Sequence, residues 1–138
     1  MNKPRGAIVK VSELKGAALD YWVGKAVWHT PGVKIIEGTC FMLAFSLRPG
    51  EQGKVVAHEI WNPSDNWSQA GPIIEREHIA LFAPQYPREP GDPLDEKTMW
   101  VAAIRKNQLD GPEFYGETPI IAAMRAFVAS RFGETVED

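Results

Sequence analysis

The residues with the greatest capacity for specific binding lie in one stretch of the chain, residues 61–75. It combines two tryptophans with a carboxylate, an amide, hydroxyl groups and a Gly-Pro step. Indole rings offer flat stacking surfaces and an N–H donor, while Asp65 and Gln69 offer orienting polar contacts. Turn residues around Pro63 predict a loop, and loops on a rigid scaffold often carry binding groups. The stretch therefore predicts a site for a small polar or nucleotide-like ligand.

The same residues also have structural explanations. Asp65 or Ser68 can cap a turn or a helix, and Trp67 can fill the core above a sheet. Both explanations stay open for each residue taken singly.

Pro72 predicts the first position of a short helix over residues 72–77, where a missing N–H has no consequence. The free N–H groups of Ile73 and Ile74 would then be available to an anion.

A catalytic interpretation requires a general base and a second orienting group near a pocket. The candidates are Asp65, Glu75 and His78, or His58 with Glu59. The spacing of the three histidines matches no compact metal motif, and the chain has neither a Gly-rich phosphate loop nor a nucleophile elbow. We therefore expect no metal and no cofactor, and an enzyme is the least favoured hypothesis.

Length and charge restrict the class of protein. A chain of 138 residues fits one domain, residues 1–138, and its net charge of −3 without a basic run argues against nucleic-acid binding. Its one cysteine, Cys40, sits in an apolar run and is expected to be a small buried hydrophobe. No segment has the length and apolarity of a membrane span or a signal peptide, so we expect a cytoplasmic protein.

The helices and strands that must position these residues are predicted from the periodicity of apolar residues and from the positions of glycine, proline and capping residues. Strands are predicted over 7–11, 39–47, 55–61, 78–82 and 98–105, the second of them buried. A first helix runs from an N-cap at Ser12 to about Ala26, and a second begins at a Thr118 cap and ends at Gly133. Prolines between residues 84 and 93 predict a surface loop, and the tail from Glu134 is expected to fray. The pattern predicts an α+β fold: an antiparallel sheet of about four strands with two main helices packed on it.

Three blocks, over residues 14–23, 64–77 and 118–133, resemble the NinX-like phage proteins. This family occurs in phages, prophages and their hosts and is classed as a domain of unknown function, so the resemblance implies context rather than a reaction. The positions that match the family pattern are Asp20, Trp22, Asp65, Trp67, Gln69, Gly71, Pro72, Glu75, Thr118, Pro119 and Arg125. The departures are Ala70, where the family often has glycine, and Asn66, where it tends to have aspartate.

Two hypotheses remain ahead of the enzyme. In the first, the protein is a non-enzymatic binder, and Arg125 contacts a phosphate or carboxylate of the ligand. The residues expected at that site are Asp65, Trp67, Gln69, Gly71, Pro72, Glu75, Arg125 and Trp22. In the second, an exposed aromatic patch contacts a host or phage protein, with the loop around Tyr86 as an arm. A concave pocket lined by Trp67 would favour the first, and exposed apolar area the second; a homodimer is compatible with both.

Overall fold

The computed structural model describes residues 7–28, 32–104 and 112–137. Three small antiparallel sheets and three α-helices make up this part of the chain. The strands are β1 (Ile8–Lys10), β2 (Val33–Ile36), β3 (Thr39–Phe45), β4 (Val55–Ile60), β5 (Ile79–Phe82), β6 (Trp100–Ile104), β7 (Glu113–Gly116) and β8 (Thr135–Glu137). The helices are α1 (Gly16–Trp28), α2 (Trp67–Glu77) and α3 (Pro119–Phe132), with a 3-10 turn at Val11–Glu13.

The α+β class is therefore confirmed, but the prediction of one sheet of about four strands with two helices is wrong in detail. The strands pair as β1-β8, β2-β3-β4 and β5-β6-β7. The sequence analysis did not predict β2 and β7, which are only four residues each. The predicted first strand, β1, pairs with β8 and not with the other predicted strands. The tail after Glu134 was expected to fray, yet Val136 is buried and pairs with Val9.

The first helix begins later than its sequence predicts. Ser12 lies in the 3-10 turn rather than at the helix N-cap, and α1 starts at Gly16, whose φ of 57° suits glycine. One face of α1 packs on β2 and β3, where a Cβ at Gly24 would overlap the Val33 side chain. The absence of that Cβ lets the helix approach the sheet closely.

The last helix agrees with its predicted caps. The Thr118 hydroxyl accepts a hydrogen bond from the Ile121 N–H, Pro119 opens the helix and Gly133 ends it with φ of 87°. Helix α3 is buried on most sides. It packs on all three strands of the β5-β6-β7 sheet and also contacts α1 and α2. Its many alanines permit this close packing.

The second helix is longer than predicted. Asn66 is its N-cap and accepts hydrogen bonds from both the N–H and the hydroxyl of Ser68. Pro72 therefore lies inside α2, not at its start. The expectation of an anion site at Ile73 and Ile74 is wrong for this reason, since the free N–H groups of a helix belong to its first turn.

Candidate functional site

The stretch of residues 61–75 is called the central segment below, and the polar groups at its start bind one another and α1. Asp20 is only 4% exposed, and its Oδ1 accepts a hydrogen bond of 2.7 Å from the Ser64 N–H. The Trp61 Nε1–H donates to the Asp20 carbonyl at 2.9 Å, and the indole packs against Trp28. A buried carboxylate thus holds the loop after β4 against the helix.

Burial and two neighbouring residues determine the pKa of the Asp20 carboxyl group. Burial raises this pKa, the hydrogen bonds from Ser64 oppose the rise, and the nearby Asp65 charge adds to it. Burial, with Asp20 as a further cause, raises the pKa of the Cys40 thiol to about 12. Cys40 is buried beside this network, as its sequence context predicts, and its protonated thiol is a poor nucleophile at neutral pH.

The Gln69 side chain bridges two backbone groups at the end of β4, a contact called the Gln69 clip below. Its Nε2 donates to the Ile60 carbonyl at 3.0 Å, and its Oε1 accepts from the Asn62 N–H at 2.7 Å. The side-chain amide thus occupies the place that a peptide group of a neighbouring strand would take. The Gln69 side chain holds the loop and is not free to orient a ligand.

The remaining predicted residues of this segment do not converge. Asp65, Pro72 and Glu75 are exposed, and Gly71 is half-buried with open space where a Cβ would be. Trp67 begins α2 with 54% of its surface exposed.

A small hollow of about 250 Å³ lies beside the segment, between the start of α1 and the β2-β3 turn. Its lining includes Asp20, Trp61, Asn62 and Asp65, but not Trp67. Because two of these side chains are carboxylates, the hollow does not suit a phosphate group.

Arg125 lies apart from this segment. Its Nε donates to the Leu14 carbonyl at 2.9 Å and its Nη1 to the Tyr115 carbonyl at 2.6 Å. Burial lowers the pKa of its guanidinium, while the Glu117 charge raises it. Two carbonyls of neighbouring elements thus engage the side chain, which fastens α3 to the 3-10 turn and to β7. It lines a different hollow, of about 540 Å³, together with Tyr115.

Trp22 is also remote from the segment. Its ring meets Tyr21 and Phe132 edge-on, with centroids 5.5 Å and 5.3 Å away. With Tyr21 and Lys25 it lines another shallow hollow at the end of the β1-β8 pair. The structure therefore places Trp22, Arg125 and the central segment in three separate regions.

The catalytic candidates do not form one group. Glu75 and His78 lie together at the C-terminal end of α2, where the His78 N–H donates to the Glu75 carbonyl, and both residues are exposed. Asp65 precedes α2 and His78 follows it, so the two are at opposite ends of a helix about 16 Å long at roughly 1.5 Å per residue. His58 and Glu59 are neighbours on a strand, and their side chains point to opposite faces of the sheet. Among the described residues, no group of three or more His, Cys, Asp or Glu side chains is arranged to hold a metal ion.

Comparison with protein families identifies the family of this chain. The family described as Bacteriophage P22, NinX matches residues 10–131, which is most of the chain. The chain belongs to this NinX family. The match includes all of α1 and the central segment and nearly all of α3, the regions of the three blocks that resemble the family. No curated protein matches the chain. Among the described helices, none has the length and apolarity to cross a membrane.

Sequence reasoning found the central segment but not the part of it that is buried. Asp20 and Trp61 form its inner contact although 41 residues separate them in the chain. A carboxylate in an otherwise apolar helix, Leu19-Asp20-Tyr21, was the available signal for Asp20, because a buried carboxylate requires hydrogen-bond donors.

Proposed function

We propose that this NinX-family chain is a phage- or prophage-type accessory protein that acts by contacting another protein through the surface around Trp67. One observation carries the proposal: the Trp67 indole is 54% exposed, while the polar side chains beside it are bound internally. The function is one of binding rather than of catalysis.

Rigid placement makes this tryptophan suitable for recognition. Asn66 caps the helix that Trp67 begins, and Gln69 ties the next residues of that helix to β4. An aromatic side chain held in this way buries a large area on binding and loses little conformational entropy. Tryptophan is among the residues that most often dominate the energy of protein interfaces.

A small ligand is less well supported. Gln69 is engaged in the clip on β4, Arg125 is bound to two carbonyls elsewhere, and Trp67 does not line the adjacent hollow. That hollow, at about 250 Å³, is smaller than the usual range of ligand pockets, and its carboxylates disfavour a nucleotide.

The test is capture of a partner in a phage-infected bacterial host by tagged full-length protein. Trp67→Ala is compared with Tyr86→Ala, because the Tyr86 ring is equally exposed, at 55%, and lies in the proline-containing loop. We expect Trp67→Ala to lower the captured partner roughly tenfold, the effect of losing one central interface aromatic, and Tyr86→Ala to leave it unchanged.

Equal capture by the wild type and Trp67→Ala would contradict the proposal. Loss with Tyr86→Ala alone would move the contact to the proline-containing loop. Native mass spectrometry of the same preparations tests the other alternative, since a retained small molecule without any partner protein would indicate a ligand-binding role. Melting temperatures of both variants show whether each is folded.

A further inference from the structure

The two faces of the β2-β3-β4 sheet differ in what covers them. The Trp61 N–H donates to the Cys40 carbonyl, and the indole of Trp61 lies against α1. Val33 also contacts α1, at Gly24. Because side chains alternate along a strand and paired residues share a face, the register assigns every strand position to the α1 side or to the opposite side.

The side opposite α1, here called the outer face, is mainly apolar. Its large apolar residues are Ile36, Phe41, Leu43, Phe45, Val55 and Ile60. Ile60 is 56% exposed and Val55 43% exposed. Antiparallel sheets that face water on one side normally carry polar residues there.

The apolar core formed by the described residues lies on the α1 side of this sheet. Met42, which points to α1, is packed against the hydrophobic core, whereas the apolar residues of the outer face are not among the described side chains packed there. An exposed apolar surface of this kind is typical of an interaction site.

The free edge of β4 is less accessible to a partner than the face. A β-bulge between β3 and β4 at Ala44 and Phe45 disturbs the strand near one end. Gln69 occupies the Ile60 carbonyl and the Asn62 N–H at the other end. Pairing of another strand along this edge is therefore restricted, and the face is the larger available surface.

The ionisable side chains of the outer face indicate the chemistry of a partner that would bind there. The ionisable side chains at strand positions of the outer face are Lys34 and His58, and Glu59 points to the opposite side. His58 stands edge-on against the Phe41 ring, 5.2 Å between centroids. Two copies stacked through this face would bury the Lys34 charge of each copy without a carboxylate from its strand positions, which disfavours self-association.

We propose that the outer face docks a segment of another protein that is both apolar and acidic. This inference rests on the proposed protein-contact function and names the chemistry of the partner. Ile60 marks the end of the outer face that borders the central segment, because Gln69 of α2 binds its carbonyl. One partner is thus able to contact the outer face and the Trp67 surface together.

The experiment is site-specific photo-crosslinking in phage-infected cells. A photoreactive residue replaces Val55 in the full chain, and mass spectrometry identifies the crosslinked partner peptide. Lys34→Glu is made in this background and compared with Lys10→Glu, which changes the net charge equally but lies on β1, in another sheet. We expect an acidic, apolar peptide, and roughly tenfold less crosslink with Lys34→Glu, as for charge reversal at an electrostatically matched contact. Lys10→Glu should leave the crosslink unchanged.

A crosslink to a second copy of this chain, to nucleic acid or to a basic peptide would overturn the inference, as would equal yields in the two charge variants. The same cells separate this inference from the proposed function. If Trp67→Ala abolishes capture while Lys34→Glu and Ile60→Thr retain it, the proposal for the outer face is contradicted and the proposed function is not. If none of the three changes capture, both proposals fail.

Discussion

The central segment and the outer face of the β2-β3-β4 sheet represent opposite uses of side chains. In the segment, Asp20, Asn66 and Gln69 satisfy nearby backbone groups and hold the loop in place. On the outer face, Val55 and Ile60 are exposed and lie outside the apolar core of the described residues. A concentration of polar and aromatic residues therefore indicates a fastened loop here, and binding capacity is left to apolar groups that the fold does not cover.

The sharpest test of this difference uses two tryptophans six residues apart. Trp61 is buried and Trp67 is 54% exposed. We expect Trp61→Ala to lower the free energy of unfolding by about 3–5 kcal/mol, through the cavity and the lost hydrogen bond to Asp20, and Trp67→Ala by less than about 1 kcal/mol. Urea unfolding measures both. Similar losses would mean that Trp67 is a structural residue.

Removal of the buried carboxylate is expected to have the next largest effect. Asp20→Ala leaves the Ser64 N–H buried without its acceptor, and should lower the free energy of unfolding by about 2–3 kcal/mol. Asp20→Asn keeps an acceptor oxygen and should lose less. Asp65→Ala is the control, because this carboxylate is exposed and its loss should change stability by less than about 0.5 kcal/mol. The network is less important than we infer if all three variants unfold alike.

The Gln69 clip should contribute less than the buried carboxylate. Gln69→Ala removes two hydrogen bonds and should cost about 1–2 kcal/mol in unfolding experiments. Gln69→Glu keeps the acceptor for Asn62 but places an oxygen against the Ile60 carbonyl, so it should be no better. Gln85→Ala, at an exposed position in the proline-containing loop, is the matched control and should be neutral. If Gln69→Ala is as stable as the wild type, the two Gln69 hydrogen bonds do not stabilise the fold, and Gln69 is again a candidate ligand contact.

At the far end of α2, an ion pair gives a pH-dependent contribution. Burial raises the pKa of Glu77, but hydrogen bonds and charges from Arg76 and Arg131 outweigh it, so the pKa is lowered. The pair with Arg131, at 2.7 Å, therefore stabilises the fold above the unfolded-state pKa and is lost as pH falls through the folded one. Glu77→Gln should cost about 0.5 kcal/mol at pH 7, less as the medium becomes acidic. A loss that persists at pH about 2 would contradict this assignment.

The smallest effect should come from the outer face. Ile60→Thr keeps a β-branched side chain, and the isoleucine is 56% exposed, so stability should change by less than about 0.5 kcal/mol. Thermal melts compared with Val33→Thr, on the buried side of the same sheet, provide the contrast. A large loss for Ile60→Thr would show that the outer face is covered by the chain itself.

Much of the fold could be predicted from local sequence. The caps at Thr118 and Gly133 define α3 because they are specific to helix ends. The hairpin of β3 and β4 follows from two β-branched and aromatic runs around a turn. The family assignment also depended on contiguous blocks of residues, and the comparison confirms it.

The rest depended on contacts between distant residues. The run containing Phe41 was predicted to be a buried strand. An apolar sequence alone does not tell whether another layer covers a strand, so the exposure of the outer face could not be predicted. Short strands such as β7 have too few residues for periodicity to show. The start of α2 was misplaced because Pro72 is typical of a first turn, whereas the Asn66 cap decides where the helix begins.

The central position of α3 has a consequence for folding. Sheets of two or three short strands are marginal by themselves, and each of these needs a helix against it. Helix α3 packs on β5, β6 and β7 and also meets β8, α1 and α2, and α1 in turn packs on β2 and β3. No sheet can therefore separate without exposing the apolar surface that it packs against a helix. The three sheets are thus expected to melt as one cooperative unit, with tryptophan fluorescence and circular dichroism reporting coincident transitions.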